Sequence, residues 1–147
     1  LLMAYSHVGH DCEIGNEVVV VNSTALSGHV IVEEKAFISG LVGVHQFVRI
    51  GRNAMVGGMA RVNQDILPFS TVEGNPARLY SANAVGLKRA NFKPNVRAAI
   101  KKALNAIAQP ELNTKQAVEK ITVEIEIFDE IQYLIDFIEN SSRGVTK

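Results

Sequence analysis

All four histidines of the chain, His7, His10, His29 and His45, fall within 39 residues, with Asp11 beside one and Gln46 beside another. Imidazole is well matched to taking a proton near neutral pH, because its unperturbed pKa lies near 6.5. A neighbouring carboxylate can orient such a ring and fix its tautomer. The set therefore suits general-base attack by a hydroxyl or an amine, and it also suits zinc, which imidazole binds readily. Four exposed histidines on a solvated face are the third reading. The choice depends on whether the chain brings these residues together.

A repeat answers part of that question. Every sixth residue from Leu2 is aliphatic: Leu2, Val8, Ile14, Val20, Leu26, Val32, Ile38, Val44, Ile50, Val56 and Val62. Leu, Ile and Val make up 41 of the 147 residues. Chance fills eleven chosen positions this way roughly once in a million, so the period is real. Two residues before the aliphatic positions from Val8 to Val62 stands a second series, mostly small or β-branched, which Ile66 continues by one step: Ser6, Cys12, Val18, Thr24, Val30, Ala36, Val42, Val48, Ala54, Ala60 and Ile66. Both series are expected to point into a narrow interior. Glycine follows the aliphatic position at Gly9, Gly15, Gly51 and Gly57, which is expected to mark corners with unusual backbone angles. A helix cannot place every sixth residue on one face, since six steps of about 100° do not return to the start. Short strands joined by tight corners can. Three hexapeptides make a triangular coil of 18 residues, and successive coils stack as parallel strands about 4.8 Å apart.

In this frame His10 lies two residues past Val8, Gly28 holds the same place one coil later, and Gln46 holds it two coils later. The Cα of His29 is expected about 6 Å from that of His10, and the Cα of His45 about 10 Å from it. His7 lies toward the preceding corner. The result is a polar cluster on one edge of a prism. A metal is not expected there, because outward side chains of stacked coils should hold the two nearest histidines too far apart to converge on one ion, and no Cys or close carboxylate triad joins them. Cys12 belongs to the inward series and reads as a small buried hydrophobe. As the lone cysteine it cannot form an internal disulfide, which fits a reducing compartment.

These elements occupy only the first part of the chain. Residues 1–80 hold nine of eleven glycines with five basic and seven acidic residues, whereas 81–147 hold two glycines, ten basic and eight acidic residues. The expected division is a β-helix of about 3.5 coils over 1–80 and a helical domain over 81–147, with the junction near Gly74-Asn75-Pro76-Ala77. A short segment at 82–89, a helix capped by Asn95 and running to about Ala108, a helix capped by Thr114 over 115–125, and a last helix over 129–139 follow from apolar periodicity and breakers. No acidic residue lies between Gly74 and Pro110, while Arg78, Lys88, Arg89, Lys93, Arg97, Lys101 and Lys102 are basic. That local patch suits phosphates or an acidic protein. Nucleic acid is not expected, given zero net charge and no aromatic platform. No apolar run is long enough to span a membrane. The pattern is already running at residue 2, so earlier coils are expected upstream.

The segments His7-Val8-Gly9-His10-Asp11-Cys12, Ser27-Gly28-His29-Val30, Val44-His45-Gln46-Phe47, Met55-Val56-Gly57-Gly58, Gly86-Leu87-Lys88-Arg89-Ala90-Asn91-Phe92 and the closing Ser142-Arg143-Gly144 together resemble the acyl-[acyl-carrier-protein]:UDP-N-acetylglucosamine O-acyltransferases. These are hexapeptide-repeat transferases that begin lipid A synthesis. The resemblance implies a left-handed parallel β-helix followed by an α-helical C-terminal domain, a cytoplasmic homotrimer, and active sites between neighbouring subunits. By the same resemblance His10 is the general base, Asp11 orients it, Gly28 offers an oxyanion-stabilising N–H, and His29 lies near the reacting groups. His7, His45 and Gln46 match substrate contacts, and Asn83 with Arg89 matches the nucleotide-binding set. Gly58 matches the position that limits the acyl groove. Val85 replaces a glutamate found in some members. Coils that contribute a lysine and an aspartate to the family's site have no counterpart in this sequence.

The implied reaction moves a long 3-hydroxyacyl chain from the phosphopantetheine thioester of acyl carrier protein to the 3-OH of UDP-N-acetylglucosamine, without a cofactor or metal. An N-acyltransferase acting on a 3-amino or 2-amino UDP-glucosamine derivative, and a non-catalytic β-helix scaffold, remain as alternatives.

Overall fold

The computed structural model describes all of residues 1–147. Ten two-residue strands recur every six residues, each ending on the aliphatic series: β1 (His7–Val8), β2 (Glu13–Ile14), β3 (Val19–Val20), β4 (Ala25–Leu26), β5 (Ile31–Val32), β6 (Phe37–Ile38), β7 (Gly43–Val44), β8 (Arg49–Ile50), β9 (Met55–Val56) and β10 (Arg61–Val62). Strands β1 to β7 each pair in parallel with the strand three later, as in His7 with Ala25 and Ala25 with Gly43. Three sheets result, ordered β1-β4-β7-β10, β2-β5-β8 and β3-β6-β9. They are the faces of a left-handed β-helix with an 18-residue turn.

Both six-residue series point inward. Val20, Leu26, Val30, Ile38, Val48, Ile50, Ala54 and Val56 are fully buried within one 18-residue cluster. Thr24, a polar member of the inward series, is also fully buried. Its hydroxyl donates to Ser39 O at 2.6 Å and accepts from Val42 N at 3.1 Å, so its desolvation is compensated. Leu2 and Ile14 in the first coil are exposed. Cys12 is half-buried, its Sγ donating to Ser27 O at 3.0 Å.

The corners correct one expectation. The unusual backbone angles lie two residues past the glycine position: Tyr5, Asp11, Glu17, Ser23, His29, Lys35, Leu41, Phe47, Asn53 and Met59 all have φ between 55° and 65°. This left-handed conformation is costly for residues with a Cβ. It is held by interlocking hydrogen bonds, in which His29 N donates to His10 O and Phe47 N to Gly28 O. The glycines are required by close approach instead. A Cβ on Gly9 would stand 2.8 Å from Ser27 C, and one on Gly51 would stand 2.5 Å from Pro68 N.

Beyond the coils, β11 (Ser70–Glu73) and β12 (Arg78–Ala82) form an antiparallel hairpin, and β11 extends the β3-β6-β9 sheet. Gly74-Asn75-Pro76-Ala77 forms the turn of this hairpin. Four helices follow: α1 (Ala84–Arg89), α2 (Pro94–Ala108), α3 (Thr114–Glu124) and α4 (Asp129–Glu139). Two caps differ from expectation. Pro94 opens α2 with Lys93 at the cap position, because proline needs no N–H partner there. Asn113 caps α3 in a reciprocal box with Gln116, which leaves Thr114 as the first helical residue.

A 19-residue core joins the helices to Leu67, Phe69 and Val145. Polar contacts add direction to this docking. Glu33 accepts from Arg49 Nε at 2.8 Å, from Arg52 N at 3.0 Å and from the Tyr133 hydroxyl. Burial, and after it the Glu33 carboxylate, push the Tyr133 phenol well above its ordinary pKa. Arg52 faces the Tyr133 ring at 4.1 Å, and Arg49 faces Phe137 at 4.4 Å. No helix is long and apolar enough to cross a membrane.

Candidate active site

The corner joining the β1-β4-β7 sheet to the β2-β5-β8 sheet carries the histidine cluster. Coils in register stack equivalent residues, so residues 9–11, 27–29 and 45–47 form three short columns. Asp11, His29 and Phe47 share the left-handed position. His10 Nδ1 lies 2.8 Å from Asp11 Oδ2. An ionised carboxylate only accepts, so Nδ1–H donates and Nε2 keeps its lone pair. The His10 hydrogen bond, and after it the charge of His29, hold the Asp11 carboxyl below the usual carboxylate range.

The His29 and His10 rings pack perpendicular to one another with centroids 5.0 Å apart, and His29 stacks on Phe47 at 4.6 Å. Gly28 lies under the His10 ring. A Cβ there would stand 2.7 Å from His10 Nε2 and 2.8 Å from Cε1, so any side chain would displace the imidazole. The Gly28 N–H has no protein acceptor. Together these give a proton acceptor, a carboxylate that fixes its tautomer, and a free backbone donor beside them.

The side chains of His10 and His29 converge more closely than expected. One ligand atom each from His10, Asp11 and His29 lies within 4.8 Å of the other two, and Asp11 Oδ2 is 3.8 Å from His29 Nε2. Stacked corners bring side chains of adjacent coils onto one another, and Asp11 lies within reach of both rings. These are the residues that could hold a cation, although Asp11 is already engaged by His10.

The remaining candidates divide among other parts of the prism. His45 and Gln46 share the histidine corner one coil beyond Gly28, and His7 is exposed on β1. Asn83 and Arg89 lie elsewhere, in a cleft of about 840 Å³ lined by Lys35, Phe37, Asn53, Met55, Tyr80 and Val85 among others, but by none of the histidines. Asn83 is largely committed: its Nδ2 donates to Asn53 O at 2.8 Å and its Oδ1 caps α1 through Gly86 N at 3.2 Å. Arg89 is exposed. Gly58 stands at a third corner, between β9 and β10, where a Cβ would meet only Gly40 O at 3.6 Å and Ser39 Cβ at 3.9 Å. One chain therefore does not gather all these residues.

Two neighbours of the cluster were not assigned roles from sequence. Phe47 was recoverable, since it lies 18 residues past His29 and 36 past Asp11. Arg143, whose Nη2 is 3.2 Å from His45 Nδ1, arrives from 98 residues away and leaves no local signal.

Residues 65–146 match the family model for UDP N-acetylglucosamine O-acyltransferase, domain 2, which is more than half of the chain. The chain belongs to this family. Over 145 residues it is 50% identical to the acyl-[acyl-carrier-protein]--UDP-N-acetylglucosamine O-acyltransferase of Gloeothece citriformis, covering 97% of this chain and 51% of that protein. It superposes on the UDP-N-acetylglucosamine acyltransferase of Bacteroides fragilis with a TM-score of 0.94 at 38% identity, covering 97% of this chain and 56% of the other. The Acinetobacter baumannii structure gives a TM-score of 0.94 at 31% identity, covering 99% and 57%. The chain thus spans about half the length of these O-acyltransferase relatives.

Proposed function

We propose that this chain carries the catalytic part of a cytoplasmic, homotrimeric enzyme of lipid A biosynthesis. The enzyme moves a long 3-hydroxyacyl chain from the phosphopantetheine thioester of acyl carrier protein to the 3-OH of UDP-N-acetylglucosamine, and needs no further cofactor. Residues 1–80 serve as the β-helix unit and 81–147 as the helical unit. The observation that carries the reading is the His10–Asp11 pair set over Gly28. The family relatives supply the substrate class, since their names state it.

In the reaction His10 Nε2 takes the proton of the sugar hydroxyl as its oxygen attacks the thioester carbonyl. Asp11 keeps Nδ1 protonated and stabilises the imidazolium that forms. The carbonyl becomes an oxyanion facing the Gly28 N–H, a donor that needs no reorganisation. When the intermediate collapses, the C–S bond breaks and His10 returns its proton to the leaving sulfur. No covalent acyl-enzyme forms. His29, steadied between His10 and Phe47, lines the reacting cleft, while His7, His45 and Gln46 contact substrate. Asn83 and Arg89 contact the nucleotide, and Gly58 bounds the acyl groove.

The scatter of these residues supports the trimer. The histidine corner, the Asn83–Arg89 cleft and Gly58 occupy different parts of one prism, and a neighbouring subunit packed against it would bring such parts together. The test is acyl transfer by the full-length polypeptide from 3-hydroxyacyl carrier protein to UDP-N-acetylglucosamine, beside its 3-amino and 2-amino counterparts. An ester product from the hydroxyl acceptor is expected. Amide product alone would reassign the chain as an N-acyltransferase, and no transfer to any acceptor would favour a scaffold.

A further inference from the structure

We infer that Arg143 is a positioning residue that sets the tautomer of His45, and with it the polarity of the edge that His45 offers to a bound ligand. The inference builds on the reading of His45 as a substrate contact. His45 Nδ1 has two neighbours at the same distance: Arg143 Nη2 at 3.2 Å and the Gln46 carbonyl oxygen at 3.2 Å. A guanidinium only donates and a carbonyl only accepts, so one ring nitrogen cannot satisfy both. If Nδ1 accepts from Arg143, the proton lies on Nε2, and the ring presents a donor. If Nδ1–H instead donates to Gln46 O, Nε2 is an acceptor, and the N–H points at a cation. Hydrogen bonds with an ionised partner are stronger than neutral ones, so Arg143 selects the first state. His45 then offers an Nε2–H to an acceptor oxygen of the ligand. His10 offers the opposite polarity, because Asp11 leaves its Nε2 as an acceptor.

The position of Arg143 is built into the fold. The closing segment is sewn to the end of the coils at Asp65, which is 4% exposed. Asp65 N donates to Gly144 O at 3.0 Å, Thr146 N donates to Asp65 O at 2.8 Å, and Ser141 Oγ donates to Asp65 Oδ2 at 2.6 Å. The other Asp65 carboxylate oxygen accepts from Arg49 N at 2.8 Å. Gly144 turns with φ of 84°, and Arg143 Nε and Nη2 approach Asn63 O at 3.4 and 3.3 Å. One cation from the helical half is thereby delivered to the histidine corner of the β-helix.

Long-range ¹H–¹⁵N correlation of ¹⁵N-histidine-labelled full-length protein at about pH 8, where free imidazole is neutral, reads the tautomer directly. The His45 signals are assigned by their loss in His45→Gln. The parent and Arg143→Lys, which keeps a donor-only cation, are expected to show the Nε2–H form, and Arg143→Ala the Nδ1–H form. The KM for the sugar nucleotide should rise about tenfold in Arg143→Ala with kcat little changed, and recover in Arg143→Lys. An Nδ1–H tautomer in the parent, or an unchanged tautomer in folded Arg143→Ala, overturns the inference. A tautomer that moves while KM does not supports the action of Arg143 on the ring and overturns His45 as a substrate contact.

Discussion

The β-helix and the helical half use their side chains in opposite ways. In the coils, inward positions are filled by a repeating aliphatic column, and the corner residues proposed for chemistry point outward, with the His10 side chain 75% exposed. In the helical half the distinctive residues are inside, where Leu104, Ile107, Ile121 and Leu134 pack with Phe69 and Phe137. The coils separate fold from function, because backbone ladders and the column hold the corner whatever side chain it displays. The helical half has no such separation. Its contribution to the histidine corner passes through packing and through the Asp65 clamp.

The sharpest test of this contrast is a core deletion in the helical half. Leu104→Ala removes a side chain that is 1% exposed and should cost about 2–5 kcal/mol in urea unfolding. A corner substitution such as Gln46→Ala should cost little by the same measurement. Equal losses at both positions would erase the distinction.

Two glycines offer a finer comparison within the coils. In Gly51→Ala the new Cβ meets Pro68 backbone, which cannot yield, so the melting temperature should fall. In Gly28→Ala it meets the exposed His10 ring, which can swing away. The fold should then survive while kcat/KM drops about tenfold or more, because the base is displaced. A Gly28→Ala protein that unfolds, or one that works normally, would show that the corner is not organised as described.

Chain-length preference gives a smaller effect at another corner. A Cβ at Gly58 makes only ordinary van der Waals contacts within the chain, at 3.6 Å from Gly40 O and 3.9 Å from Ser39 Cβ, so stability should hold in Gly58→Met. Relative kcat/KM should shift by several-fold toward shorter acyl chains, on a scale of about 0.8 kcal/mol per buried CH₂. An unchanged profile across a series of carrier-bound chains would leave Gly58 as a corner residue only.

The smallest effect is the titration of Asp11. Its folded pKa is depressed from 3.8, so the charged form is favoured in the folded chain. The resulting stabilisation is present above the unfolded value and is lost as pH falls through the lower folded value. The carboxyl ¹³C midpoint should therefore lie below 3.8 and move up in His10→Ala. No movement would remove His10 as the main cause.

The period-six series made the coils legible before any coordinates, because each two-residue strand must return to the same face after six residues. The grouping of His10, Gly28, His29, His45 and Gln46 on one corner came from the same arithmetic. What the sequence hid has physical causes. Gly and Pro punctuate hairpin turns as well as linkers, so the residues Gly74–Ala77 alone do not reveal the hairpin. Cap residues cluster, so Asn113 and Thr114 compete within one step. The glycines after the aliphatic positions answer to a neighbouring coil, and no local pattern reports that approach. Arg143 reaches His45 only through tertiary packing.

The central claim is that His10 moves the proton. Its most direct test is kcat/KM of the full-length His10→Ala protein, measured with saturation checks on both the acyl carrier protein thioester and the sugar nucleotide. A fall of at least about 10²-fold is predicted, with an unchanged melting temperature because the exposed ring takes no part in the interior. Near-parent kcat/KM in a correctly folded His10→Ala protein would contradict the account.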